Sequence, residues 1–423
     1  LGLRNSLSVD EGMSWYVALS PGHAGQLDVH PPLYFYLLHF WLMTGHDEAW
    51  LRLSSVLAGT FCVPALFWAL GQAGWERSRR WLPCWLVACS TYAVQYSREL
   101  RMYPLLSLEV LLGFGCLLGL RRAGEERRRL WFGYFLCSLA AAWTHYFGLF
   151  LLLLAPLVLR RRQLPGWLLC SFAVAISLLP WVDSVAGRVR HHDFSLRFPP
   201  AVSALPETAG RILFGDLGPT DNLWFQLLGL TVLAWLVVRA RSAPLWIWVW
   251  AVLPLALVWF ESRWGPAPVF EFKYFGWTLP AWCCLFGLSR PHRALLGLWL
   301  VANLAGQCWL LQSHNRGQDW RSVANFLHNR RELTLVQPSM MAAPLLYYGV
   351  PPDAMHPVDT VADVKPLLNG QRECLLVTTP FHPEVERENL PGWLARVGRV
   401  DTLLETRRSL PSAVVRVQSW TAK

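Results

Sequence analysis

Apolar residues run in long blocks up to about residue 312 and in short blocks after it. A membrane-crossing helix needs about 20 mainly apolar residues, fewer when it is buried among others. On that rule the blocks predict spans near 51–71, 82–97, 103–120, 130–145, 147–160, 164–182, 223–239, 243–260, 275–289 and 294–312. The apolar stretch 130–159 has three arginines at each end. A single tilted helix puts those clusters on opposite faces, whereas a hairpin turning at Thr144-His145-Tyr146 keeps them together, and the hairpin is the expectation. Residues 33–43 are too short to span and are interrupted by His39. They predict an amphipathic helix on the outer surface, near 30–45. Past 312, Gln318 to Arg331 reads as a helix with Trp320, Val323, Phe326 and Leu327 on one face. Leu333 to Val336, Cys374 to Thr378 and Ser412 to Val417 read as strands, and 384–396 as a helix. The expected fold is therefore mainly α. A polytopic helical bundle covers 1–312, and a small soluble α/β domain covers 313–423.

Composition sharpens this picture. Only 16% of the 423 residues are charged, against about 25% in soluble proteins. The 25 tryptophans suit a membrane–water interface. A net charge of +10 would point to nucleic acid in a soluble protein, but here the arginines sit between apolar blocks. Arg77, Arg79 and Arg80 follow the first span, and Arg121, Arg122 and Arg127 to Arg129 the third. Arg160 to Arg162 follow the fifth, Arg239 and Arg241 the seventh, and Arg290 and Arg293 the ninth. All follow odd-numbered spans, so all lie on one side, the cytoplasmic one by the positive-inside rule. Nucleic acid is thus not an expected partner. The same parity puts Leu1 and the C-terminal domain outside. With no initiating Met, it implies a signal-anchor helix before Leu1 and eleven spans in the native count. The ten cysteines show no CxxC and no metal spacing. Most lie in apolar blocks and act as small hydrophobes. Cys374 stands alone in the C-terminal domain, which therefore has no internal disulfide.

Polar residues far apart in sequence emerge at the predicted outer face. They are Asp10-Glu11, His30-Pro31-Pro32, the Ser97–Tyr103 turn, Thr144-His145-Tyr146, and Glu271, Lys273 and Tyr274. Carboxylates and cations together at such a surface suit a charged group handled at the lipid boundary. Each has a plainer reading beside this one. Asp10-Glu11 read as solvated loop charges, the two prolines as a helix start, and Lys273 as a snorkelling side chain. Arg98, Glu99 and Arg101 read equally as a structural ion network, and His145 as an interior histidine. Cations are depleted from short external loops, which favours function for Arg98 and Arg101.

The order Asp10-Glu11, HPPLYFYLLHFW from His30, Leu51-Arg52-Leu53, QYSRELRMY from Gln95 and THYFG from Thr144 resembles bacterial membrane glycosyltransferases of the protein O-mannosyltransferase-like superfamily. These have the GT-C fold and include the lipid A aminoarabinose transferases. The match is strong over 1–160, and Lys273-Tyr274-Phe275 and Gln318-Asp319-Trp320-Arg321 extend it weakly. The resemblance implies a hexosyl- or pentosyltransferase in the bacterial cytoplasmic membrane. It would move a sugar from a polyprenyl-phosphate carrier to a lipid, glycan or protein acceptor on the outer face, with inversion. Asp10 matches the first-loop acid, expected to be the general base, with Glu11 its partner and Glu99 a second-loop acid. Arg52, Arg98, Arg101, His145 and Lys273 are expected at the lipid phosphate, and His30, Tyr103, Tyr146 and Tyr274 elsewhere in the substrate site. Some relatives use a divalent cation, for which Asp10, Glu11 and His30 offer ligands without forming a metal signature. Relatives commonly have Arg-Tyr at Lys273-Tyr274, and a small residue at Leu100.

The chemistry agrees with these residue types. Displacement at an anomeric carbon needs a carboxylate beside the incoming hydroxyl and cations around the departing phosphate, which the arginine fork binds bidentately. A lipid carrier removes the need for a nucleotide loop, and the chain has no GxGxxG after a strand and no P-loop. Two other readings share the apolar pattern: a transporter or lipid flippase, and an inactive membrane scaffold with an external interaction domain. The long connection 183–222 carries Arg188, Arg190, His191, His192, Arg197 and Arg211 among aromatics. It reads either as a basic loop resting on headgroups or as a lid that orders over the carrier phosphate.

Overall fold

The computed structural model describes residues 3–123, 128–190, 199–215, 223–265, 268–312, 318–330, 332–379, 389–406 and 414–422. The chain divides into two compact units. One comprises Leu1–Ser20, His46–Ala49 and Leu310–Lys423, the other Pro21–Gly45 and Trp50–Trp309. The N-terminal helix Val9–Leu19 therefore belongs with the C-terminal residues and not with the helical body.

The larger unit is a helical membrane body. Among the described residues, four helices are long and apolar enough to cross a bilayer: Glu48–Gln72, Tyr103–Arg122, Arg161–Ser184 and Leu245–Trp264. Shorter apolar helices include Leu33–Leu42, at the expected interfacial segment, and Leu223–Arg239. Leu-rich faces of the Arg161–Ser184 helix stay exposed, with Leu169 at 71% and Phe172 at 65%, as a lipid-facing surface requires. The chain is a multi-pass membrane protein. The hairpin over 130–160 is present. Helix Arg128–Thr144 ends at Thr144, His145 is extended, and a 3-10 turn Tyr146–Leu149 leads into helix Phe150–Val158. Gly148 makes this turn possible, because a Cβ there would lie 2.1 Å from the Ala141 carbonyl oxygen.

Two predicted spans are not continuous. The one at 82–97 breaks at Ser90 into helices Arg77–Cys89 and Thr91–Ser97. A break at membrane depth frees backbone groups that lipid cannot satisfy. Here Gln307 Nε2 donates to the Cys89 carbonyl (2.9 Å), and Thr91 N donates to Asn303 Oδ1 (2.8 Å). Asn303, fully buried, also donates to the Leu213 carbonyl (3.3 Å). The second, at 275–289, begins as a 3-10 segment Phe272–Thr278 and becomes α-helical at Leu279–Leu288, whose first turn holds Pro280.

The smaller unit holds a five-stranded sheet of order β2-β1-β3-β5-β4. Its strands are β1 (Thr334–Gln337), β2 (Met355–Pro357), β3 (Glu373–Thr378), β4 (Gly398–Thr406) and β5 (Val415–Ala422). The first three pair in parallel, and β5 runs antiparallel to both β3 and β4. Side chains alternate across the pleat. Val336, Leu375 and Val377 join Trp320, Val323 and Val9 on one face. Leu335, Cys374 and Leu376 join Leu390, Leu394 and Trp420 on the other. Helix Val9–Leu19 lies close against helix Ala342–Tyr347, since a Cβ on Gly12 would come within 2.8 Å of Pro344. The expected helices after Gln318 and before residue 396 are Trp320–Leu327 and Leu390–Val397, and 384–388 lie outside the described residues.

Candidate functional site

Ten of the predicted site residues lie in the membrane body, and Asp10 and Glu11 in the other unit. The body's site is built on turns between helices. Asp28 closes one of them, accepting the His30 backbone N–H (2.9 Å) and pairing with His30 Nδ1 (2.6 Å). The His30 ring lies 4.9 Å from the His145 ring, and both are buried. Around His145 stand Tyr274 at 5.5 Å, Tyr103 at 6.3 Å and Phe147 at 5.0 Å between ring centres. The Arg101 guanidinium lies 5.7 Å from the Tyr103 ring centre and is buried. Lys273 pairs with Glu271 (3.2 Å) and lies 5.6 Å from the Tyr274 ring. Tyr146 braces the site from outside. Its hydroxyl donates to the Val29 carbonyl (2.6 Å) and accepts from Trp181 Nε1 (3.0 Å).

The arginines arrive from two elements. Arg52 is buried on helix Glu48–Gln72. One turn on, Ser55 Oγ donates to the Arg101 carbonyl (3.1 Å), which fixes this helix against the 98–102 turn. Gly59 permits the approach, since a Cβ there would meet Ser97 Oγ at 2.0 Å. Burial and the neighbouring Arg52 charge lower the Arg98 pKa, with Glu99 opposing them. Burial works against the Asp28 charge, but His30 and Arg101 hold its carboxyl at about 2. Burial, followed by His30 and Arg101, pushes His145 well below the ordinary histidine value, with Asp28 opposing. His145 is thus neutral at pH 7. Its Nδ1 accepts from the Phe147 backbone N–H (3.1 Å), so the neutral ring carries its proton on Nε2. That Nε2 is buried without a hydrogen-bond partner among the described residues.

In the other unit, Asp10 and Glu11 occupy the first turn of helix Val9–Leu19. Glu11 is buried and forms a capping box with Ser8: its Oε2 accepts the Ser8 N–H (2.9 Å), and its own N–H donates to Ser8 Oγ (3.3 Å). Asp10 is half-buried and takes no part in that cap. Of the expected cation ligands, Glu11 is therefore occupied as a cap and His30 Nδ1 by Asp28. Among the described residues no group of three or more His, Cys, Asp or Glu is placed to hold a metal ion.

Sequence reasoning passed over Asp28, although its D-x-H spacing to His30 permits an Asx-type turn. It also passed over Glu109, a buried acid within the Tyr103–Arg122 span whose Oε1 accepts from Thr144 Oγ1 (3.0 Å). Thr144 belongs to the THYFG motif, so Glu109 anchors the turn that carries His145. The 183–222 connection is not a single loop. Helix Ala204–Phe214 packs into the body, and buried Arg211 donates twice to Glu207 Oε1 (3.0 and 2.7 Å) between the rings of Phe225 and Phe272. Arg211 is thereby removed from the lid arginines. His191, His192 and Arg197 lie outside the described residues, and Arg188 and Arg190 are described in backbone only.

Residues 22–174 match the family model described as dolichyl-phosphate-mannose-protein mannosyltransferase. A search of curated protein sequences finds no match. Two solved structures are similar along the whole chain. The crystal structure of ArnT from Cupriavidus metallidurans bound to undecaprenyl phosphate has a TM-score of 0.56 at 14% identity, covering 99% of this chain and 95% of that one. The apo-state structure of the same protein has a TM-score of 0.50 at 14% identity, covering 98% and 94%.

Proposed function

Starting from a multi-pass chain with the GT-C fold of membrane glycosyltransferases, we propose that it transfers a sugar from a polyprenyl-phosphate carrier to an acceptor at the outer face of a bacterial cytoplasmic membrane. The observation that carries this reading is the buried donor set: Arg52, Arg101, His30 and an unpartnered His145 Nε2–H. A buried donor left without a partner costs about 1–3 kcal/mol and is explained by a ligand that completes it. The ligand type that suits the set is an anion, because Arg52 and Arg101 are buried cations and the neutral His145 ring offers its Nε2–H as a donor. The ArnT structure holds undecaprenyl phosphate, the same class of anion on a lipid.

In this reading the phosphate lies among Arg101, Arg52, Arg98, His30 and His145, with Lys273 at the rim and Tyr103 and Tyr274 as walls. Asp10 takes the proton of the acceptor hydroxyl as its oxygen bonds to the anomeric carbon. The bond from that carbon to the phosphate oxygen breaks, and its electron pair leaves on the polyprenyl phosphate. Attack opposite the leaving group inverts the configuration. The cations stabilise charge that grows on the phosphate, in a site where buried rings exclude water. Glu11, held in the capping box, orients the helix that carries Asp10, and Glu99 sets the field around Arg98.

One observation favours a transporter, namely Glu109 buried in a span. Its bond to Thr144 gives it a positioning role instead. The deciding experiment offers purified protein in vesicles a polyprenyl-phosphate sugar radiolabelled in the sugar. The expected outcome is free polyprenyl phosphate with the label on an acceptor. Label crossing the vesicle membrane on an intact carrier establishes a flippase, and binding with neither outcome establishes a scaffold.

A further inference from the structure

Within the smaller unit lies an open cleft of about 660 Å³, lined by Trp15, His46, Glu48, Arg321, Tyr347, Tyr348 and Gly349. Its aromatic rings are set at right angles. Trp15 and Tyr347 are 5.3 Å apart at 82°, and Tyr347 and Tyr348 are 4.9 Å apart at 85°. Hydrogen bonds hold each tyrosine. Tyr347 Oη donates to the His46 carbonyl (2.7 Å). Tyr348 Oη accepts from the Leu7 N–H (2.8 Å) and donates to Glu48 Oε1 (3.1 Å). Glu48 in turn pairs with Arg321, which also donates to the Arg4 carbonyl (2.9 Å). The cleft is a prearranged aromatic corner with an ion pair on its wall.

Its chemistry narrows the occupant. One glutamate and one arginine cancel in charge, so nothing in the lining selects a phosphate or a carboxylate. The carboxylate, the guanidinium and the exposed His46 would leave an oily ligand facing polar groups it cannot bond. A neutral pyranose presents apolar C–H faces and a rim of hydroxyls. The faces stack on Trp15 and Tyr347, and the hydroxyls reach the Glu48 carboxylate, which accepts, and the Arg321 guanidinium, which donates. Rigid rings with few rotatable bonds make such contacts at low entropic cost. Trp15 also lies five residues after Asp10 on one helix, an axial rise of about 7.5 Å.

We propose that this cleft binds a neutral saccharide portion of the acceptor. The proposal rests on the transferase reading and adds the substrate class. The test uses the full chain in detergent and a panel of immobilised neutral di- and trisaccharides of hexose and N-acetylhexosamine. Binding of a subset is expected, weakened at least about tenfold by Trp15→Ala and by Tyr347→Ala and retained by Tyr347→Phe. Polyprenyl-phosphate binding, measured on the same samples, should be unchanged in Trp15→Ala and Tyr347→Ala, which also shows that the variants are folded. A wild-type protein that binds no neutral saccharide overturns the proposal, as does one that binds only anionic glycans, lipids or peptides. Undiminished binding in both alanine variants does the same. If polyprenyl phosphate fails to bind the wild type, the transferase reading fails instead, whatever the saccharide result.

Discussion

His145 meets its neighbours as a neutral ring, and that state has a measurable consequence. Its pKa in the folded protein lies well below the ordinary value, which is about 6.5. As pH falls through that ordinary value, the unfolded chain takes a proton that the folded protein refuses. Stability therefore falls with acid, by about 1.4 kcal/mol for each pH unit below the ordinary value. His145→Phe removes this dependence, so its unfolding midpoint without donor should change less than that of the wild type on going from neutral pH to about 5.5. Asp28 does not contribute in that window. Its carboxyl sits at about 2, so its stabilisation is present above the ordinary aspartate value and lost only as pH falls towards 2. Equal slopes for wild type and His145→Phe would sink the buried-neutral assignment. Asp10 carries a different prediction. Loss of a general base costs about 10²–10⁴-fold in rate, so Asp10→Asn should abolish transfer while expression and carrier-lipid binding persist. Near-normal turnover would move the base to Glu99 or Glu11. The residue types of the site were legible in the motifs, but Asp28 was not, because an aspartate in a loop looks solvated until the fold buries it beside a histidine.

Helix Ala204–Phe214 shows how an element changes the meaning of its residues. In the sequence Arg211 is one of several loop arginines, whereas in the fold it is the partner of a buried glutamate. Removing one member of a buried pair leaves a charge uncompensated, at about 3–5 kcal/mol. Glu207→Ala should therefore lower the unfolding midpoint sharply, and Glu207→Gln less so. Hydrogen exchange over 204–214 should be slow without donor and stay unchanged when a non-hydrolysable polyprenyl-phosphate sugar is added. Protection that appears only with donor would restore the lid to this segment. The break at Ser90 was hidden for a related reason. Residues 82–97 are apolar enough to read as one helix, and the groups that satisfy the broken backbone, Asn303 and Gln307, lie more than two hundred residues away in sequence. Strand β4 escaped notice because a register shift between Thr402 and Leu404 interrupts its alternation, whereas β1 and β3, buried on both faces, stand out as apolar runs.

At the scale of the whole molecule, the arginine parity predicts that the sheet unit lies outside. A cysteine at exposed Thr402 on β4, in a protein stripped of its native cysteines, should react with an impermeant thiol reagent on intact cells. Reaction only after lysis would invert the topology. The membrane character, the hairpin at Thr144-His145-Tyr146, the short helix Leu33–Leu42 and the α/β nature of the C-terminal unit are determined by the sequence itself. They follow from local patterns: apolar run length, arginine position, and the short period of buried strands. Tertiary structure alone decided that Val9–Leu19 packs with the C-terminal residues, that Glu109 anchors the His145 turn, and that Arg211 is a buried structural cation. Each of these depends on which groups the fold brings into a low-dielectric interior, where burial and pairing, not residue type, set charge state and role.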